Sequence, residues 1–246
     1  MSTLMTPKNS DKWSVAIPFT RPGNWLAHSL RNRGPVRTLK VAFNLMADLP
    51  FDWKHGTDTM KWVNVNSFET KSLNKSRAVR YQPTKVRPLA KLLARLRLPT
   101  AGSFVDLGCG KGRVLLIASQ LGYRRVVGVE FCARLCRQAR ENINRFRARH
   151  PHCSPIDVIE SDVALYKFTG DESVLFMYNP FDKVVMKQMM DNIRTSVRRS
   201  PREIWLIYNT PLQHEIVQQE DDFGRCEQYE IGGTLFHIYS QFNFRT

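Results

Sequence analysis

The stretch 104–113, FVDLGCGKGR, runs straight into VLLIASQLG at 114–122. A short apolar run carrying one acid, Asp106, leads to glycines at 108, 110 and 112, and an apolar helical pattern begins at Val114. That order is strand, tight turn, helix, the way a doubly wound α/β sheet presents a ligand at the carboxyl edge of its first strand. At Gly108, Gly110 and Gly112 the missing side chain lets the main chain turn sharply and should let a ligand approach backbone N–H groups. The spacing is G-x-G-x-G, so the G-x-x-G ending of the dinucleotide fingerprint is absent. Asp106, two residues ahead of the first glycine, would repel a pyrophosphate and attract a cationic group. Taken alone, the motif also fits a glycine-rich turn in another Rossmann-like protein.

Downstream, strand and helix patterns alternate. RVVGVE at 125–130 reads as a second strand ending in Glu130, a carboxylate able to accept both hydroxyls of a ribose. Residues 132–149 place Leu135, Ala139, Ile143 and Phe146 on one helical face and a row of Arg on the other. Cys132 and Cys136 start this helix and His150, His152 and Cys153 follow it. The two groups lie about 25 Å apart at 1.5 Å per residue, so a shared zinc site is not expected. IDVIES at 156–161 is a third strand with Asp162 at its end, placed either beside a ligand or as a loop cap. VLFMYNPFD at 174–182 is a fourth, terminating in Asn179-Pro180-Phe181. A helix at 184–197, the strand EIWLIYN at 203–209 and a helix at 211–219 continue the alternation. Two β-rich runs around Gly232-Gly233 predict a closing hairpin.

The D-L-G-C-G-K-G turn, with Glu130 closing the next strand, resembles the class I, seven-strand S-adenosylmethionine-dependent methyltransferases over residues 80–246. The resemblance implies a doubly wound seven-strand sheet, mostly parallel with an antiparallel last strand, and S-adenosylmethionine as cofactor. It implies that Asp106, Gly108, Cys109, Gly110, Gly112, Glu130, Phe131, Asp162 and Val163 line the cofactor site. Ahead of the turn, VRYQPTKVRPLAKLLARLRL at 79–98 reads as a helix entered through a loop, with Thr84 as N-cap. In methyltransferases of this kind such a loop folds over the methionine end of the cofactor, which would put Tyr81 and Thr84 in the site. Tyr81 packed on the helix is the alternative. Asn179-Pro180-Phe181 resembles the N-P-P-[Tyr/Phe] motif of amino-group methyltransferases, whose Asn oxygen and following carbonyl accept hydrogen bonds from the target nitrogen. One proline of that pattern is absent, so Asn179 carries most of the inference; an Asn-Pro that merely ends the strand is the alternative.

Charge is uneven along the 246 residues. Residues 1–100 hold 18 Lys+Arg against 5 Asp+Glu, while 101–246 hold 19 against 17. The positive field therefore belongs to the front of the chain, as a solvated face or a surface for RNA, anionic lipid or an acidic protein. Residues 1–23 are polar and proline-bearing and read as a tail or strap; 24–49 read as two helical pieces broken at Gly34-Pro35. FDWKHGTDT at 51–59 resembles the segment preceding the catalytic domain in a group of bacterial methyltransferases of unassigned substrate. We place a basic extension at 1–78 and the methyltransferase domain at 79–246. Trp13, Trp25, Trp53 and Trp62 could stack on bases, but packing that fixes the front segment is the preferred reading.

Five cysteines in a chain of this length suggest a reducing compartment, and no apolar run reaches membrane-span length, so a cytoplasmic location is expected. These features favour an enzyme methylating an amine of a protein or small molecule. An RNA or DNA base acceptor, or a non-catalytic cofactor-binding regulator, are the alternatives.

Overall fold

A computed structural model describes residues 22–61, 63, 81–178, 181–218 and 222–242. Residues 1–21, Asn179 and Pro180 lie outside the described residues. The chain divides into two compact units, Met1–Phe43 and Asn44–Thr246. The unit boundary, after Phe43, falls within helix α1 (Pro22–His55); the helix breaks earlier, at Gly34 with φ 74 and ψ 166, where the sequence predicts a break.

The second unit is built on a seven-strand sheet, ordered β3-β2-β1-β4-β5-β7-β6. Its strands are β1 (Ser103–Leu107), β2 (Arg125–Glu130), β3 (Ile156–Glu160), β4 (Glu172–Tyr178), β5 (Trp205–Asn209), β6 (Phe223–Ile231) and β7 (Thr234–Phe242). The first five pair in parallel, while β7 runs antiparallel to both β5 and β6. The strand order reverses beside β1, which is where open α/β sheets bind ligands at the carboxyl ends of their strands.

Central strands covered on both faces must be apolar throughout, and every residue of β1 is buried. The period-two alternation of a strand then splits them between two cores. Phe104, Val126, Val174, Phe176 and Ile207 pack with Leu89, Leu92, Leu115 and Phe146 on one face. Val105, Leu107, Val127, Leu175 and Met177 pack with Met186, Met189 and Met190 on the other. The covering helices are α2 (Val86–Arg95), α3 (Arg113–Ala118), α4 (Ala133–Arg149), α5 (Lys183–Arg199) and α6 (His214–Gln218). Asp182 caps α5, accepting hydrogen bonds from the N–H groups of Val184 and Val185. The closing hairpin turns at Gly232 and Gly233, both at positive φ as a tight two-residue turn requires.

Two expectations need correction. Thr84 is not the cap of α2: the N-cap position is Lys85, without a side-chain cap bond. The Val86 N–H instead donates to Asp48 Oδ1 at 3.0 Å, so a carboxylate 38 residues earlier performs the capping. Trp53 does not pack; it is 87% exposed. Among the described residues no helix is long and apolar enough to cross a membrane.

Candidate active site

The glycine turn sits between the end of β1 and the start of α3, and its N–H groups are largely spent within the protein. Gly108 and Cys109 N–H both donate to the Val129 carbonyl, at 2.9 and 3.0 Å, and Gly112 N–H donates to the Cys109 carbonyl at 2.8 Å. Gly110 N–H donates to Glu130 Oε2 at 3.0 Å. The turn is therefore not a row of free donors of the kind that cradles phosphate, contrary to the expectation that a ligand would meet those N–H groups.

Glu130 ends β2 with both oxygens engaged, since Cys132 N–H donates to Oε1 at 2.9 Å. Burial raises its carboxyl to about 7 despite these bonds. Asp106, also buried, is raised well above the ordinary range, first by burial and then by the charge of Glu130. A buried carboxyl raised by a neighbouring carboxylate is stabilised as an anion by any cation seated beside it. A ligand with a cationic end and ribose hydroxyls meets that requirement, whereas a pyrophosphate would add to the repulsion.

Tyr81 lies on the turn. A Cβ built on Gly110, at φ 54, would come within 2.2 Å of Tyr81 Cε2, so only glycine allows the ring this close. Tyr81 and Phe131 pack against the buried group Val63, Cys132 and Leu135. The Tyr81 hydroxyl donates to the Thr59 carbonyl at 2.7 Å, and burial raises its pKa.

Residues 48–60 are bound to the same turn. Asp52 accepts from the hydroxyls of Thr57 and Thr59 at 2.7 and 2.6 Å, and from the N–H groups of Thr59 and Met60 at 2.8 Å. Arg113, the first residue of α3 and 2% exposed, donates from Nε to Thr59 Oγ1 at 2.7 Å. Its Nη1 donates to Asp48 Oδ2 and to the Thr84 carbonyl, both at 3.2 Å. Its Nη2 lies 3.6 Å from Asp52 Oδ2. Lys111, 1% exposed, sits 3.7 Å from Asp58 and over the Tyr81 ring. Asn142 of α4 accepts from Asp58 N–H and donates to the carbonyls of Asp58 and Lys111. At the end of α1, His55 Nδ1 lies 2.9 Å from His150 Nε2.

The structure thus gathers Tyr81, Thr84, Asp106, the glycine turn, Glu130 and Phe131 around one strand edge. Asp162 is the cap of a short 3-10 turn at Val163–Leu165, accepting from Ala164 N–H, and Val163 is buried in the core on the α5 side. Phe181 is half-buried and packs on that same core. Asn179 and Pro180, between β4 and Phe181, lie outside the described residues. Sequence reasoning passed over Asp48, Asp52, Thr59, Lys111, Arg113 and Asn142. A usable signal was present in the two cations of GKGR, which a buried turn must neutralise, and in the two acids of FDWKHGTDT. Among the described residues no group of His, Cys, Asp or Glu is arranged to hold a metal ion, and Cys132, Cys136 and Cys153 are free thiols.

Residues 104–202 match the family model described as a methyltransferase domain. This match and the sheet order make the region a Rossmann-like α/β methyltransferase domain. The chain is 31% identical over 138 residues to a trans-aconitate 2-methyltransferase of Paracidovorax citrulli, covering 51% of this chain and 53% of that protein. It is 31% identical over 136 residues to the protein of the same name from Variovorax paradoxus, covering 51% and 52%. The chain therefore spans about half the length of the curated relatives it matches. Among solved structures, an uncharacterised protein from Listeria monocytogenes serotype 4b shares the fold at a TM-score of 0.50 and 8% identity, over 65% of this chain and 69% of that one.

Proposed function

We propose that this chain transfers the methyl group of S-adenosylmethionine to an amine nitrogen of a protein or small molecule. The observation that supports it most is the pair of buried carboxyls, Asp106 and Glu130, flanking a glycine turn whose N–H groups are already satisfied. When bound, the cofactor supplies an electrophilic methyl carbon on a positively charged sulfur. Glu130 would hold the ribose hydroxyls; Gly110 and Cys132 N–H fix its two oxygens, so their remaining lone pairs need no reorganisation. Asp106 would face the cationic amino-acid end, with Tyr81 covering Gly110 and Phe131 as an apolar wall. Asp162 and Val163, one turn beyond β3, would border the adenine.

At the acceptor edge, Asn179 would accept a hydrogen bond from the target amine, aiming its lone pair and dispersing the positive charge that develops. Phe181 would pack beside the acceptor. A carboxylate acceptor is the second reading. Two curated relatives are called trans-aconitate 2-methyltransferases, trans-aconitate is a tricarboxylate, and this chain carries a net charge of +15.

Methyl-labelled cofactor incubated with the full chain and cell extract separates the readings. Label that survives mild alkali, on protein or on small amines, is the expected result. Label released by alkali as volatile methanol would mean an ester and move the assignment to a carboxylate. Label lost to nuclease would identify a base acceptor, and cofactor binding with no labelled product would leave a binding protein.

A further inference from the structure

We propose that Thr59 and Arg113 are positioning residues that hold the Tyr81 ring on the glycine turn, so the segment ahead of the methyltransferase domain builds the wall for the cofactor's methionine end. This rests on the reading of the glycine turn as the cofactor's cradle. Thr59 is fully buried and is the hub of the segment. Its hydroxyl donates to Asp52 Oδ1 and accepts from Arg113 Nε, while its carbonyl accepts the Tyr81 hydroxyl. Tyr81 is thus held from both sides, by its ring against Gly110 and by its hydroxyl on Thr59.

Arg113 fixes where Thr59 sits. Its guanidinium is buried at the turn itself and reaches three elements: Thr59 through Nε, Asp48 of α1 through Nη1, and the Thr84 carbonyl ahead of α2 through Nη1. A buried guanidinium needs anions and acceptors wherever it points, so Asp48 and Asp52 compensate it, and the 48–59 segment cannot withdraw without leaving that charge uncompensated. Lys111 repeats the arrangement on the next turn residue but one, with Asp58 at 3.7 Å. Both cations of the glycine turn are therefore met by acids of the preceding segment.

The ligand is split by this geometry. Its adenosine half falls to Glu130, which Thr59 does not touch, and its amino-acid half to the Gly110 and Tyr81 surface. Loss of the Thr59 hydroxyl should act on the second half alone. The test is calorimetry of the full chain with S-adenosylhomocysteine and, separately, with adenosine. Thr59→Val, which keeps shape and removes the hydroxyl together with its bonds to Asp52 and Arg113, is expected to weaken S-adenosylhomocysteine about tenfold, while adenosine stays within about twofold. Thr59→Ser should restore wild-type binding. Tyr81→Phe, which cuts the tether but keeps the ring, should show the same selective loss and serves if Thr59→Val does not fold. Equal loss of both ligands, or no loss of either, overturns the proposal. A wild-type chain that binds adenosine and S-adenosylhomocysteine equally weakly overturns the cradle reading itself, a result visible before any variant is made.

Discussion

Glu130 carries two demands that pull in opposite directions. Holding ribose hydroxyls asks for an anion, yet burial raises its carboxyl from an ordinary 4.5 to about 7, with the backbone N–H groups of Cys132, Gly110 and Phe131 in partial compensation. The consequence for stability has a definite sign. Between about pH 4.5 and 7 the unfolded chain has released this proton and the folded chain still holds it, so stability falls as pH rises through that window and levels off above it. The upper bound is about 3 kcal/mol, from the size of the shift. His55 acts the other way, since burial and the neighbouring His150 lower it from 6.5 to about 4, so its contribution is lost as pH falls through that range. Asp106, raised by burial and by Glu130, adds to the first trend. We therefore expect the difference between wild type and Glu130→Gln to isolate it. Denaturant melts should show the variant gaining on wild type as pH rises from 4.5 to 7, and a pH-independent difference would contradict the assignment.

At the scale of elements, β2 and the glycine turn form one object, and the residue that joins them is Gly128. It sits mid-strand, opposite Asp106 of β1 and Val158 of β3. A Cβ there would lie 2.6 Å from Cys109 Sγ and from Leu115 Cδ1, so the turn and the first turn of α3 rest directly on the strand backbone. Gly128→Ala must push Cys109 or Leu115 aside. Overpacking of this kind costs about 1–3 kcal/mol, so a fall in Tm of roughly 3–10 °C is expected, together with weaker S-adenosylhomocysteine binding. A variant as stable as wild type would show that the turn is not seated on β2. Elements of this kind were legible in the sequence where periodicity alone determined them: the five parallel strands and the closing hairpin fall where apolar runs and Gly232-Gly233 predict. Asp106 and Glu130 were legible because an acid at the end of an apolar run is conspicuous. What stayed hidden depends on contacts between distant segments. Nothing local to Asp48 marks it as the cap of α2, and nothing local to Gly128 distinguishes a close approach from a weak strand. Thr84 read as a cap because Ser, Thr, Asp and Asn are interchangeable there by pattern, and only the fold determines which of them reaches the free N–H groups.

For the whole molecule, the decisive question is where the cofactor-binding unit begins. The family resemblance, which begins at residue 80, places a boundary at 78/79, and that cut would fall between Thr59 and Arg113. It would strip Asp48, Asp52 and Thr59 from a guanidinium that is 2% exposed, and a buried charge deprived of its partners is strongly destabilising, at about 3–5 kcal/mol. The α2 terminus would also lose its cap and Tyr81 its tether. The compact unit that holds these contacts starts at Asn44. Residues 1–43 hold seven Lys+Arg and one Asp, so their removal takes away part of the basic front without touching the network around Arg113. We expect a chain of residues 44–246 to bind S-adenosylhomocysteine within about twofold of the full chain, because every contact described around the glycine turn lies inside it. A chain of residues 79–246 should bind at least tenfold more weakly or fail to fold, since it lacks a hydrogen-bonded charge compensation worth more than that factor. Side-by-side calorimetry and thermal melts of the three chains decide the point. Full affinity in 79–246 would remove the 48–59 segment from the cofactor site, and loss of affinity already in 44–246 would assign the earlier residues a part in binding that the contacts around Arg113 do not require.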